Sequence, residues 1–193
     1  MSHYYENDPN LDRTETPFTF ELNGQSFRVL SSDGVFSKDR LDTGTRILCE
    51  YIVEHRAADL GENILDLGCG IGVILSRFHP CKITGIDPNA QACHLARENY
   101  AANHVDGTIM EAGHINDALY DSIVLNPPIR TGKTVIYSLF AQAYDHLKEG
   151  GTLYIVIRKQ HGAQSAVDYL ESLGFEVERP LREKGFWVLE AVK

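Results

Sequence analysis

From Glu62 onward the sequence alternates short apolar runs with longer amphipathic ones, the pattern of a parallel sheet covered by helices on both faces. Residues 63–67, 82–87, 107–110, 122–125 and 152–157 read as strands. Residues 73–78, 90–103, 133–147 and 163–173 read as the helices between them. Glu149-Gly150-Gly151 is the expected stop of the third helix and Gly174 that of the fourth. The chain then reads strand-turn-strand, residues 175–178 and 186–190 around Glu183-Lys184-Gly185, so the last strand is expected to run antiparallel. The predicted fold class is therefore α/β, a mostly parallel seven-stranded sheet. Ahead of it, Phe18–Leu22 and 25–30 alternate apolar with polar around Asn23-Gly24, a strong β-hairpin signal. Asp42 or Thr43 can cap the helix that follows.

Two places in this alternation carry chemistry. The run Ser122-Ile123-Val124-Leu125 stops at Asn126-Pro127-Pro128, because two prolines supply no ladder donors and fix φ. The residue before a proline is held extended, so the Asn126 side chain and the Pro127 carbonyl stand stiffly at a strand tip. Ligands of open parallel sheets bind beyond such tips. The plainer reading is a proline-rich turn. The second place is Asp66-Leu67-Gly68-Cys69-Gly70-Ile71-Gly72, between a strand and a helix. By itself it fits a dinucleotide fingerprint or a tight turn. However, its third glycine falls one residue early for the former, and Asp66 would repel a pyrophosphate while suiting a cationic amino acid. Asp87 ends the next strand and can hold ribose hydroxyls or cap a helix. Glu111, after the third strand, can accept from an adenine amine or lie in solvent.

Composition narrows the classes. With 193 residues the chain suits one domain, divided here into a hairpin extension (1–33) and a core (34–193). No apolar run reaches the roughly 20 residues of a membrane span, and the N-terminus lacks a signal-peptide pattern, so a cytoplasmic protein is expected. Cys49, Cys69, Cys81 and Cys93 lack metal-ligand spacing, and no metal is expected. The net charge of −9 disfavours indiscriminate nucleic-acid binding. That charge is uneven: residues 1–125 hold 9 Lys/Arg against 19 Asp/Glu, residues 126–193 hold 9 against 8.

Taken together, the acidic glycine-rich loop, the acid at the second strand tip and Asn126-Pro127-Pro128 resemble the class I S-adenosylmethionine-dependent methyltransferases, whose fold is Rossmann-like. Gly34-Val35-Phe36-Ser37, Leu41-Asp42-Thr43-Gly44-Thr45, Asn126 to Lys133, and Lys159-Gln160-His161-Gly162-Ala163 are similar to the guanine-N2 methyltransferases of small-subunit ribosomal RNA. The similarity covers roughly residues 34–163. Larger members carry a second, N-terminal methyltransferase-like domain, for which this length leaves no room.

The resemblance implies S-adenosyl-L-methionine as cofactor, held by Asp66, Gly68, Gly70, Gly72, Asp87 and Glu111, with Asp42, Gly44 and Thr45 flooring its methionine end or simply capping a helix. It implies ribosomal RNA or the small ribosomal subunit as partner. Asn126, Pro127, Pro128 and Ile129 would hold the acceptor, the first two taking the N–H bonds of an exocyclic amine. Arg130 and Lys133 would meet the RNA, although a cation at a helix start is mildly disfavoured. Many amino methyltransferases have an aromatic residue where this chain has Ile129, which weakens an adenine-N6 reading. A glutamine-N5 methyltransferase and a non-catalytic cofactor- or RNA-binding module are the alternatives, with an NAD-dependent oxidoreductase behind them. His161 reads as structural or substrate-facing, and Phe18, Phe20 and Phe27 as hairpin packing.

Overall fold

Asn23 and Gly24 both adopt left-handed φ, 47° and 75°, the geometry that a two-residue hairpin turn demands. They join β1 (Glu15–Leu22) to β2 (Gln25–Ser32) as a two-stranded antiparallel sheet. A computed structural model of the chain describes residues 14–32 and 39–193. The Gly34-Val35-Phe36-Ser37 motif lies outside the described residues. Asp42 caps α1 (Thr43–His55), its carboxylate accepting from Thr45 N.

The alternating region folds as β3 (Asn63–Leu67), α2 (Gly72–Phe78), β4 (Lys82–Asp87), α3 (Ala90–Ala102), β5 (Gly107–Glu111), β6 (Tyr120–Leu125), α4 (Lys133–His146), β7 (Leu147–Arg158), α5 (Ala163–Leu173), β8 (Glu176–Glu183) and β9 (Phe186–Val192). The seven-stranded sheet has the order β5-β4-β3-β6-β7-β9-β8. Strands β3 to β7 are mutually parallel, and β9 runs antiparallel to both its neighbours. After β3 the chain builds outward to β4 and β5, then returns to build the other half from β6. That reversal leaves a crevice at the tips of β3 and β6, where such sheets bind ligands.

The period of two along each strand assigns side chains to one of two cores. Ile64, Val124, Tyr154 and Val156 face the core that α1, α2, α3 and the hairpin cover; Leu65, Ile123, Leu125, Leu153 and Ile155 face the core under α4 and α5. Ser122 and Val124 share the first face, so the next residue of that period, Asn126, is delivered toward α1.

Two boundaries differ from expectation. Helix α4 ends at His146 and the chain enters β7 directly, so Glu149-Gly150-Gly151 is not a helix stop. Residues 148–151 instead bulge opposite Asp121, where the pairing jumps from Tyr120↔Leu147 to Ser122↔Thr152. The bulge bonds to the chain's end through Gly150 N to Lys193 O and Lys193 N to Gly151 O, long-range contacts that no local signal announces. Strand β8 runs past Pro180, tolerated because β8 is an edge strand whose pairing shifts between Glu178 and Leu181.

Asn99, Asn103 and His94 tie the hairpin to α3 and its end, and Asn99 makes the paired contact. Asn99 Oδ1 accepts from Leu30 N at 2.7 Å, and its Nδ2 donates to Leu30 O at 3.0 Å, as a neighbouring strand would. Asn99→Ala removes both bonds and should lower stability by about 1–3 kcal/mol, measured by urea denaturation, with faster amide exchange at Leu30 as the local signature.

Candidate active site

A cavity of about 960 Å³ opens at the tips of β3, β4, β6 and β7, at the upper end of the range for small-molecule sites. Its floor is the glycine-rich loop. Gly68, with φ 101°, donates its N–H to Ile86 O at 2.8 Å, and a Cβ at Gly68 or Gly70 would meet nothing closer than 3.9 Å. Both residues line the cavity, so these glycines leave open space there rather than packed protein. Gly72 has a different task. It does not line the cavity, and a Cβ there would collide with Tyr100 Oη, so its bareness lets α2 lie against α3.

Asp66 shapes the loop. It shares the face of Ile64 and is fully buried; its Oδ2 accepts from Ile71 N at 2.8 Å and Gly72 N at 2.7 Å, the first free amides of α2. Among the described residues, its Oδ1 is buried without a partner. Burial pushes the Asp66 carboxyl up to about 6, against the pull of those two amides.

At the tip of β4, Asp87 is buried, lines the cavity, and accepts Asn89 N–H on Oδ1 at 2.8 Å. It does not cap α3; Asn89 does, accepting from Ala92 N. Glu111 departs from the sequence reading: it is exposed on edge strand β5 and does not line the cavity. The chain just beyond it, Ala112 to Ile115, lines the cavity instead, with Ala112 N bonded to Asp87 O at the end of the β4–β5 pairing.

The acceptor side is built where β6 meets α1. Asn126 Nδ2 donates to Asp42 Oδ2 at 2.9 Å and to Thr45 Oγ1 at 3.1 Å. The reverse amide orientation would press an oxygen against a carboxylate, so Asn126 Oδ1 is held away from Asp42. Gly44 does not line the cavity; the Phe186 ring fills the room a side chain would need. Pro127 O accepts from Ile129 N at 2.9 Å, which leaves it a second lone pair, and Pro128 O takes Thr131 N and Oγ1. Asn126, Pro127, Pro128, Ile129 and Arg130 all line the cavity, whereas Lys133, exposed at the start of α4, does not.

Several lining residues were not singled out as site residues from the sequence. Phe18 and Phe20 of the hairpin wall the cavity beside the glycine-rich loop, so they are more than hairpin packing; Phe27 alone is buried in the core. Arg158 and Phe186 join His161 at the other end. A period-of-two count along β7 would have placed Arg158 on this face, but only the fold brings the hairpin there.

The profile of the methyltransferase small domain matches residues 26–190. The chain belongs to that family. An uncharacterized Bacillus subtilis protein, YbxB, is 35% identical over 200 residues, spanning 99% of this chain and 98% of its own. Ribosomal RNA small subunit methyltransferase C of Haemophilus ducreyi is 39% identical over 139 residues, 66% of this chain and 41% of that enzyme. In structure, the methyltransferase domain is similar to the T. thermophilus 16S rRNA N2 G1207 methyltransferase RsmC, solved with AdoMet and guanosine. The TM-score is 0.81 at 22% identity, over 96% of this chain and 52% of that one. The chain thus spans about half the length of these rRNA enzymes and nearly all of YbxB. Among the described residues, no helix is long and apolar enough to cross a membrane.

The raised Asp66 carboxyl gives this methyltransferase domain a pH signature. Between the unfolded value near 4 and the folded value near 6, the folded state holds a proton that the unfolded state has lost, so stability falls as pH rises through that window. Asp66→Asn cannot titrate. Relative to wild type, its stability should rise between pH 4 and 7, by up to about 3 kcal/mol from a shift of two pH units. Denaturant melts of the ligand-free protein across that range check it; parallel curves would contradict it.

Proposed function

We propose that the chain is an S-adenosylmethionine-dependent methyltransferase that transfers a methyl group to the exocyclic N2 amine of a guanine in ribosomal RNA. One observation carries this reading: the Asn126 amide is fixed by Asp42 and Thr45 so that its oxygen is kept for an incoming donor.

The residues of the cavity fit the cofactor. Gly68 and Gly70 leave room for a ligand against the backbone, and Asp87 at the β4 tip offers carboxylate oxygens to a ribose. Asp66 lines the cavity and its Oδ1 has no partner among the described residues, so its charge would favour a cationic amino-acid end. Phe18 and Phe20 add apolar wall. When bound, S-adenosylmethionine supplies an electrophilic methyl group on a positively charged sulfur.

The protein's own part is positioning. The guanine amine is a poor nucleophile because its lone pair is delocalised into the ring. Asn126 Oδ1 and Pro127 O would accept its two N–H bonds, favouring a pyramidal nitrogen with the lone pair aimed into the cavity. Both acceptors are rigid, one braced by Asp42 and Thr45, the other locked between prolines. Such orientation can account for about 7–11 kcal/mol of barrier, and acceptors facing a nitrogen that becomes positive add electrostatic stabilisation. No general base is needed before transfer, and the proton leaves afterwards to water. Ile129 grips the base by apolar contact, with Arg130 and, farther out, Lys133 toward the RNA. The T. thermophilus relative, whose bound guanosine accompanies AdoMet, supports guanine over adenine.

The test is radiolabelled methyl transfer to unmodified ribosomal RNA and to small subunits, followed by nucleoside analysis. N2-methylguanosine is the expected product. Asn126→Ala should lower kcat by about 10²–10³ while cofactor affinity, read by calorimetry, stays within a few-fold. Asp42→Ala, which frees the amide, should fall between the two. Label in N6-methyladenosine or in protein would overturn the guanine assignment, and cofactor binding without any label would mark a non-catalytic module.

A further inference from the structure

Charge is sorted along the cavity end of the sheet. The tips of β3, β4 and β5 carry Asp66, Asp87 and Glu111. The tips of the other half carry cations: Arg130 in the turn after β6, Arg158 and Lys159 where β7 ends, and Arg182 near the end of β8. The topology makes these neighbours. Because β9 is antiparallel to β7, the turn between β8 and β9 lies at the β7 tip, and Lys159 N bonds to Gly185 O in that turn at 2.9 Å.

These cations are exposed, and two of them are braced by aromatic rings rather than by carboxylates. The Arg158 guanidinium lies 4.6 Å from the Phe186 ring centre, and that of Arg182 lies 4.5 Å from the Trp187 ring centre, on the opposite face of the sheet. Among the described residues, none of Arg130, Arg158, Lys159 and Arg182 has a carboxylate partner. Some cations elsewhere do, as in Arg56–Glu190, Lys148–Asp121 and Arg46–Glu50, while others such as Arg77 and Lys82 do not; what sets the rim apart is its clustering at one end of the sheet. The one acid in the arc, Glu183, is 3.9 Å from Lys184. A guanidinium stacked on a ring keeps its N–H edge for an outside acceptor and loses little freedom when it binds one. Strand spacing sets the arc's length: β6 to β8 is three steps of about 4.8 Å, or roughly 14 Å, the length of about four stacked nucleotides.

We propose that Arg130, Arg158, Lys159 and Arg182 form a phosphate-binding rim that seats the RNA strand flanking the acceptor nucleotide. The proposal rests on the ribosomal RNA reading above and assigns it a docking surface. The rim lets a chain of net charge −9 bind RNA: Asp66 and Asp87 of the acidic half line the cofactor cavity, and the strand is confined to the acceptor half.

The experiment measures binding of an unmodified small-subunit ribosomal RNA fragment across a salt series. It compares wild type with Lys159→Gln, Arg182→Gln, the double variant, and Lys82→Gln, an exposed lysine at the start of β4 and the far end of the sheet. Each rim substitution should weaken binding about three- to tenfold, and the double variant should lower the slope of log K against log salt by about 2. Cofactor affinity should not change in either rim variant, and Arg182→Lys should keep most of the salt slope. An unchanged slope in the double variant, or an equal loss in Lys82→Gln, would falsify the rim. If wild type methylates the RNA while the rim variants bind it normally, the rim alone falls. If wild type neither binds nor methylates RNA, the substrate reading falls with it.

Discussion

One carboxylate oxygen joins the two elements that build the acceptor side of the candidate site. Asp42 Oδ2 accepts the Thr45 amide that starts α1 and the Asn126 amide that ends β6. The free amides of a helix N-terminus favour such an acceptor, and here the same atom also orients the side chain proposed to hold the substrate amine. The helix cap is therefore a positioning group. Thr45 repeats the economy, with its N–H in the cap and its hydroxyl on Asn126. Because α1 packs on the sheet through buried Ile47, Leu48, Tyr51 and Ile52, the acceptor pair inherits the rigidity of the core.

Asp66 plays the matching part for the other half. It folds the glycine-rich loop by accepting two amides from buried ground, and it holds a charge that the ligand-free protein accommodates poorly. Buried polar groups of this kind are costly unless fully paired. An Oδ1 with no partner among the described residues, on a residue that lines a large cavity, fits a site whose electrostatics are completed by a cationic ligand.

Much of the fold was legible because its signals are local. Alternation of strand and helix, the Asn23-Gly24 turn, the double proline and Gly174 each act within a few residues of themselves. The mistaken helix stop at Glu149-Gly150-Gly151 shows where that legibility ends. Those glycines serve a bulge bonded to residue 193, and no window around them contains that partner. Glu111 teaches the same lesson, since one residue along an edge strand separates a cavity wall from solvent.

The sequence alone determined the sheet's class, the glycine-rich floor and the Asn-Pro-Pro tip, because backbone sterics and strand period fix those without reference to distant residues. Only the tertiary structure decided that Asp42 and Asn126 share a hydrogen bond, that Phe18 and Phe20 wall the cavity, and that Arg158 and Arg182 sit beside one turn. Each of these depends on which strand tips the topology brings together, and the pairings link residues outside any local window, Asp42 and Asn126 being 84 positions apart. Such contacts are chosen by the packing of the whole core, not by any segment within it.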